Sequence, residues 1–155
     1  MLYGNNLYKR EYDKELQRFE ALFNFASIGI LVTNRQGEIV LINDFALEQF
    51  GYQREELIGQ TIERLLPMRF RPKHEEYRDG FSSQPQSRPM GIGMDLFALK
   101  KDGTEFSVEV SLSQYQHEEG SFVISYINNI TERKKAEEKL EKMHNELEQK
   151  IAERT

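Results

Sequence analysis

The sequence predicts an α+β domain: a five-stranded antiparallel sheet with short helices over one face, flanked by an N-terminal amphipathic helix and a C-terminal coiled-coil helix. Three observations lead there. Segments alternating between apolar and polar residues, the period of a half-buried strand, are joined by short turn sequences, as hairpins are. The short helical segments all fall between the second and third strands. At Asn128–Thr131 the period changes from two to nearly four, and the chain becomes charged.

Taken in order, the first element is a helix over residues 7–25. Tyr8, Tyr12, Leu16, Phe19 and Phe23 stand four, four, three and four apart, an apolar stripe opposite Lys14, Glu15, Arg18 and Glu20. The stripe suits packing on its own domain and pairing with a second copy equally well. Ile28–Thr33 reads as a buried strand, Asn34–Gly37 as a turn, and Glu38–Asn43 as the second strand of a hairpin. Asp44–Phe50 is a short helix ended by Gly51, Arg54–Ile58 a further helical turn closed by Gly59, and Ile62–Leu66 a short apolar piece stopped by Pro67. Lys73–Phe81 is helical, with His74, Tyr77 and Phe81 on a similar face, and Ser82–Pro89 is a polar loop.

Gly91–Leu99 is the third strand, with Ile92, Met94, Leu96 and Ala98 on one side. Lys100–Gly103 turns the chain, and its Asp-Gly pair favours type I′ geometry. Phe106–Leu112 and Phe122–Ile127 are the last strands, separated by the turn His117–Gly120. Strands joined by hairpins imply an antiparallel sheet, and helices inserted over one face make it a cup. Such a cup encloses a cavity, a natural place for a small molecule. Asn128-Asn129 reads as the hinge, with the Thr131 hydroxyl capping the helix beyond it.

In that helix Ala136, Leu140, Met143, Leu147 and Ile151 stand four, three, four and four apart. A heptad alternates three and four, so the second consecutive four is a stutter. Glu138 with Lys142 and Glu146 with Lys150 support the helix at i,i+4. So narrow a stripe needs a partner, and a parallel two-stranded coiled coil supplies one.

Composition narrows the function. Of 155 residues 38% are hydrophobic and 30% charged, with the charge concentrated at the two ends. The net charge of −5 argues against nucleic acid or anionic lipid as a partner. Without cysteine there is no disulfide, thiolate catalysis or cysteine-held metal. No apolar run approaches the roughly 18–20 residues of a membrane span, and Met1–Lys14 has no apolar signal block. The expectation is a cytoplasmic segment with no membrane part of its own.

Several phrases resemble the PAS domain. They are Ile39–Asn43 followed by Phe50-Gly51-Tyr52 and Glu55–Gly59; Lys100–Phe106 with Val108–Ser111; and Asn129-Ile130-Thr131-Glu132-Arg133. Each is short, but together and in this order they are specific, and they cover about residues 19–133. The tail Leu147–Thr155 resembles the linker before the catalytic core of PAS-containing sensor histidine kinases. The resemblance implies an N-terminal helix over 1–18, a PAS domain over 19–130 and a signalling helix over 131–155. It implies sensing, homodimerisation and signal transfer rather than catalysis, within a two-component system whose kinase or other output domain lies downstream. The family has aspartate where this chain has Asn129, which keeps a hydrogen-bonding amide but not the charge.

His74 draws the sharpest chemical expectation. Arg71–Tyr77 resembles the helix that supplies the axial histidine in haem-binding PAS oxygen sensors. On that resemblance His74 is the iron ligand, and Tyr77, Ile92 and Met94 line the pocket, with Met94 or Met90 offering a thioether. Those sensors carry a distal arginine where Met94 stands here. A histidine hydrogen-bonded at the helix surface is the plainer reading, and another small ligand the third. Cysteine-dependent flavin photochemistry is excluded. His117-Glu118-Glu119 reads as a solvated turn, His144 as a surface residue, and Arg133-Lys134-Lys135 as a solvated helix start.

The expected function is a sensory and dimerisation module of a signal-transduction protein, relaying the ligand or redox state of its cavity to the C-terminal coiled coil. The alternative is the same fold without a ligand, acting only in dimerisation and relay. Asn129, Ile130 and Thr131 carry the signal transfer. Tyr12, Leu16 and Phe19 on the first helix, with Leu140, Met143, Leu147 and Ile151 on the last, form the dimer interface.

Overall fold

The hairpins assemble into a single sheet in the computed structural model, which describes residues 2–72, 88–90 and 96–154. Its strands are β1 (Gly29–Thr33), β2 (Ile39–Ile42), β3 (Arg88–Met90), β4 (Leu96–Leu99), β5 (Glu105–His117) and β6 (Gly120–Asn129). Every pairing is antiparallel, in the order β2-β1-β6-β5, with β3 and β4 both on the far edge of β5. Met90 pairs with Val110 and Leu96 with Val108, so β3 and β4 are successive pieces of one edge lane and the sheet has five lanes. The expected strand Gly91–Leu99 is seen at Leu96–Leu99, while Gly91–Asp95 lie outside the described residues. Arg88 and Pro89, expected in a loop, pair with β5. An edge is where a strand tolerates the missing N–H of proline.

The turns depart from expectation in one respect. Among the described residues none other than glycine has positive φ, so Asp102-Gly103 does not form a type I′ turn. Gly103 N donates to Lys100 O at 3.0 Å, and Gly103 alone is left-handed, with φ of 90°. Asp102 instead accepts from the Thr104 amide and hydroxyl, at 2.9 and 2.6 Å. Gly37, with φ of 80°, closes Asn34–Gly37 in the same way, by a bond to Asn34 O. Both hairpins use an ordinary turn followed by a left-handed glycine.

Between the sheet's second and third strands lie α2 (Asp44–Phe50), α3 (Arg54–Leu57) and two 3₁₀ turns, Ile62–Leu65 and Met68–Phe70. Leu31, Ile39, Ile42, Phe50, Leu57, Phe106, Val108 and Ile127 are buried together as the core. Gly59, Gln60 and Ile62 hydrogen-bond to the β2 region, through Ile39 and Gly37, and partly cover that sheet edge.

Two long helices flank this body: α1 (Leu2–Asn24) and α4 (Thr131–Arg154). α1 ends at Asn24, one residue short of the end expected for the helix over 7–25. Its link to the body is Asn43, fully buried at the start of α2. The Asn43 amide nitrogen donates to Phe23 O at 2.8 Å and Ile28 O at 3.0 Å, and its oxygen accepts from Ile30 N at 2.9 Å and Ala46 N at 3.0 Å. One side chain thus caps α2, holds β1 and catches the end of α1.

Candidate functional site

β5 and β6 contribute one face to a cavity of about 90 Å³. Side chains on a strand alternate between faces, so Val108, Val110 and Leu112 of β5 share a face, as do Ser125 and Ile127 of β6, and these five line the cavity floor. Phe50 of α2, Ile62, Leu65 and Leu66 of the first 3₁₀ segment, and Leu96, Phe97 and Ala98 of β4 complete the wall. Ser125 is the single polar residue among the described residues of this lining.

An ion pair ties the second 3₁₀ turn to the start of β5. Arg69 donates to both carboxylate oxygens of Glu105, at 2.8 and 2.6 Å, and its guanidinium stands 4.5 Å from the Phe70 ring centre and 5.8 Å from that of Phe97. The hydrogen bond from Arg69 holds the Glu105 carboxyl below the usual glutamate range.

The cavity floor leads directly to the exit helix. Pairing of β6 with β5 continues through Asn128 and Asn129, so the hinge expected there is part of the sheet. Only Ile130 separates sheet from helix. It is buried, its N–H donates to Ser107 O at 2.9 Å, and its carbonyl accepts from Lys134 N at 2.9 Å, closing the first helical turn. The Thr131 hydroxyl does not cap that turn as an acceptor. It donates to Asn129 Oδ1 at 2.6 Å, and the Thr131 amide donates to the same oxygen at 3.0 Å. The Asn129 amide oxygen therefore accepts both Thr131 donors without carrying a charge.

Arg133, read from sequence as part of a solvated helix start, is half exposed and pairs with the later Glu137 at 3.7 Å and also with Glu109 of β5. Its Nη1 donates to Oε2 at 3.3 Å and its Nη2 to Oε1. This bond lowers the Glu109 pKa and raises that of Arg133. The spacing that would have revealed the pair runs across the sheet rather than along the chain, and no local pattern carries it.

The remaining expected residues divide clearly. Tyr12, Leu16 and Phe19 on α1 and Leu140, Met143, Leu147 and Ile151 on α4 are all exposed in the single chain. α1 thus does not bury its stripe on its own domain, although Phe19 and Phe23 stack at 5.4 Å. His144 meets Glu148 at 3.1 Å on the exposed rod. His74, Tyr77, Ile92 and Met94 lie outside the described residues. Sites for drug-sized ligands occupy about 300–1,000 Å³, and the cavity among the described residues has about 90 Å³. Among the described residues no three His, Cys, Asp or Glu side chains are grouped to hold a metal, and no helix is long and apolar enough to cross a membrane.

Comparison with known proteins places this geometry. The family model for the PAS fold matches residues 17–130. The chain is similar to Sensor protein FixL of Bradyrhizobium diazoefficiens, at 25% identity over 118 residues, 76% of this chain and 23% of that protein. It is similar to Oxygen sensor protein DosP of Escherichia coli, at 29% over 104 residues, 67% of this chain and 13% of that protein. With Sensor protein kinase WalK of Staphylococcus aureus it shares 33% over 85 residues, 51% of this chain and 14% of that protein. The chain thus spans less than a quarter of these relatives. Among solved structures, the PAS domain of an HTR-like protein from Haloarcula marismortui superposes with a TM-score of 0.71 at 23% identity, covering 81% of this chain and 99% of that one. A PAS domain from a two-component sensor histidine kinase gives 0.64 at 17% identity, covering 76% and 98%.

Proposed function

The chain belongs to the PAS fold family, and from that premise we propose that it is the sensory and dimerisation module of a sensor histidine kinase, relaying the state of its cavity to the α4 helix. The observation that carries this reading is the continuity of β6. Ser125 and Ile127 line the cavity, and two residues on, Asn129 holds the first residue of α4. A ligand that moves the cavity floor moves that latch. The module itself catalyses nothing; catalysis belongs to an output domain joined beyond α4.

The dimer follows from two exposed stripes on helices at opposite ends of the module. Packing Leu140, Met143, Leu147 and Ile151 against the same residues of a second copy, in parallel, removes from water a surface that the single chain leaves open. The stutter permits more than one packing, which is what a relay by helix rotation needs.

Sedimentation of the 155-residue chain at tens of micromolar tests the proposal. A dimer is expected, weakened by Leu140→Asp with Leu147→Asp; a monomer contradicts it. Because the chain has no cysteine, a single Leu140→Cys substitution reports the pairing directly, and parallel helices form that disulfide readily. The visible spectrum supplies the cofactor arm. A Soret band lost in His74→Ala would make the cavity a haem site, in keeping with the name of the oxygen-sensing relative. A protein that stays colourless with added hemin leaves the cavity to a smaller ligand.

A further inference from the structure

The cavity's dimensions and lining say what kind of molecule it takes, an inference that rests on the sensory reading above. An apolar cavity of about 150 Å³ holds benzene, or roughly 25 Å³ for each heavy atom. On that scale 90 Å³ accommodates about four heavy atoms. A trapped water needs two to four polar partners, and the described lining offers only Ser125, so the space favours an apolar occupant over water. Among the described residues no charged side chain lines it, and an ion facing these walls would lose its hydration without compensation. Ser125 is buried, and its hydroxyl has no hydrogen-bond partner among the described residues, so it is available to one oxygen or nitrogen of a ligand.

We infer that the cavity bounded by β4, β5, β6 and the Ile62–Leu66 segment is a binding site for a small, neutral, mostly apolar molecule of about four heavy atoms, oriented by one hydrogen bond to Ser125. Short alcohols, aldehydes and ketones have this chemistry. Ser125 pairs with Leu112, Ile127 with Val110, and Asn129 with Val108, so the ligand's polar end sits at one end of a three-pair patch whose other end is the α4 latch. Occupancy at Ser125 is read at Asn129 through a single stretch of paired backbone. Small ligands gain at most about 1.5 kcal/mol per heavy atom, so a four-atom ligand binds no tighter than about 40 µM. The signal is then an abundant metabolite or solvent rather than a trace hormone.

Amide chemical shifts of the labelled full chain, titrated with 1-propanol, acetone and acetate, test this. All three probes have four heavy atoms, and only acetate is charged. Saturable shifts are expected for 1-propanol and acetone at Val108–Leu112 and Ser125–Thr131, with none for acetate. Ser125→Ala keeps the cavity and should weaken 1-propanol about tenfold, the worth of a buried hydrogen bond. Ala98→Val, checked for folding by its dispersed spectrum, should abolish binding by filling the space. Equal binding of acetate, shifts that never saturate, or binding unchanged by Ala98→Val would overturn the assignment. If the probes fail while sedimentation still gives a dimer, the ligand class is wrong and the relay module stands; a monomer removes the module itself.

Discussion

The two flanking helices look alike in sequence and are fastened to the body in different ways. α1 enters through Asn43, fully buried and bonded to four backbone groups on three elements. α4 leaves through Asn129, whose exposed side chain bonds only to Thr131, and through buried Ile130, whose N–H donates to Ser107 O, with Arg133–Glu109 as an outrigger. A buried amide with every bond satisfied is expensive to displace. An exposed latch exchanges its partners for water at little cost. The comparison teaches that entry is the fixed end of the module and exit the adjustable one, as a relay from cavity to α4 requires.

Substitutions at the two ends should separate them, beginning with the largest effect. Asn43→Ala removes a helix cap and leaves buried groups unpaired, and it should cost about 3 kcal/mol in chemical denaturation. Asn43→Ser retains a cap for α2 but not the bonds to Phe23 and Ile28, so its cost should be smaller by about 1 kcal/mol. Equal losses would mean that the cap on α2 contributes nothing, and an unchanged stability in Asn43→Ser that the link to α1 contributes nothing. At the other end Arg133→Ala should leave the denaturation midpoint nearly unmoved while hastening amide exchange in the first turn of α4. Unchanged exchange there would show that Glu109 does not steady the helix.

Acid should loosen the exit before the entry. Arg133 depresses the Glu109 pKa and Arg69 that of Glu105. A carboxylate whose folded pKa is depressed contributes stability above its unfolded value, about 4.3, and loses it as pH falls through the folded value. Protection from exchange in the first turn of α4, measured against the intrinsic rate at each pH, should therefore fall below about pH 4, while Asn43, which does not titrate, keeps α1 attached. The smallest effect belongs to Asn129→Asp. Its carboxylate still accepts both bonds from Thr131, so the melting temperature should hold within a degree or two, about 0.5 kcal/mol. A larger shift would show that charge at this position alters the latch.

Much of this was legible in the sequence, because strand alternation, turn glycines and helical stripes are local signals. Leu31, Ile39 and Phe106 stand in the core because their periods place them there. Phe19 and Leu147 are identified as apolar stripe residues from spacing alone, and the motif phrases identify the family. Turn type was less legible. Asp102-Gly103 carries a hairpin signature, yet Asp102 uses its carboxylate to bind Thr104 and only the glycine becomes left-handed. The hinge was misplaced by two residues because Asn128 and Asn129 look like strand breakers, whereas their partners Glu109 and Val108 on β5 keep them in the sheet.

The sequence by itself determined the α+β class, the hairpins, the two amphipathic helices and the membership of the PAS fold, all of which depend on neighbours within a few positions. Only the tertiary structure decided that β1 lies beside β6, that Asn43 joins three elements, that Arg133 reaches Glu109, and that Ser125 stands among apolar residues on a small cavity. Those facts depend on which distant segments the sheet brings together. Hydrogen bonds and cavities are set by atoms in space, and residues far apart along the chain carry no local pattern that announces their meeting.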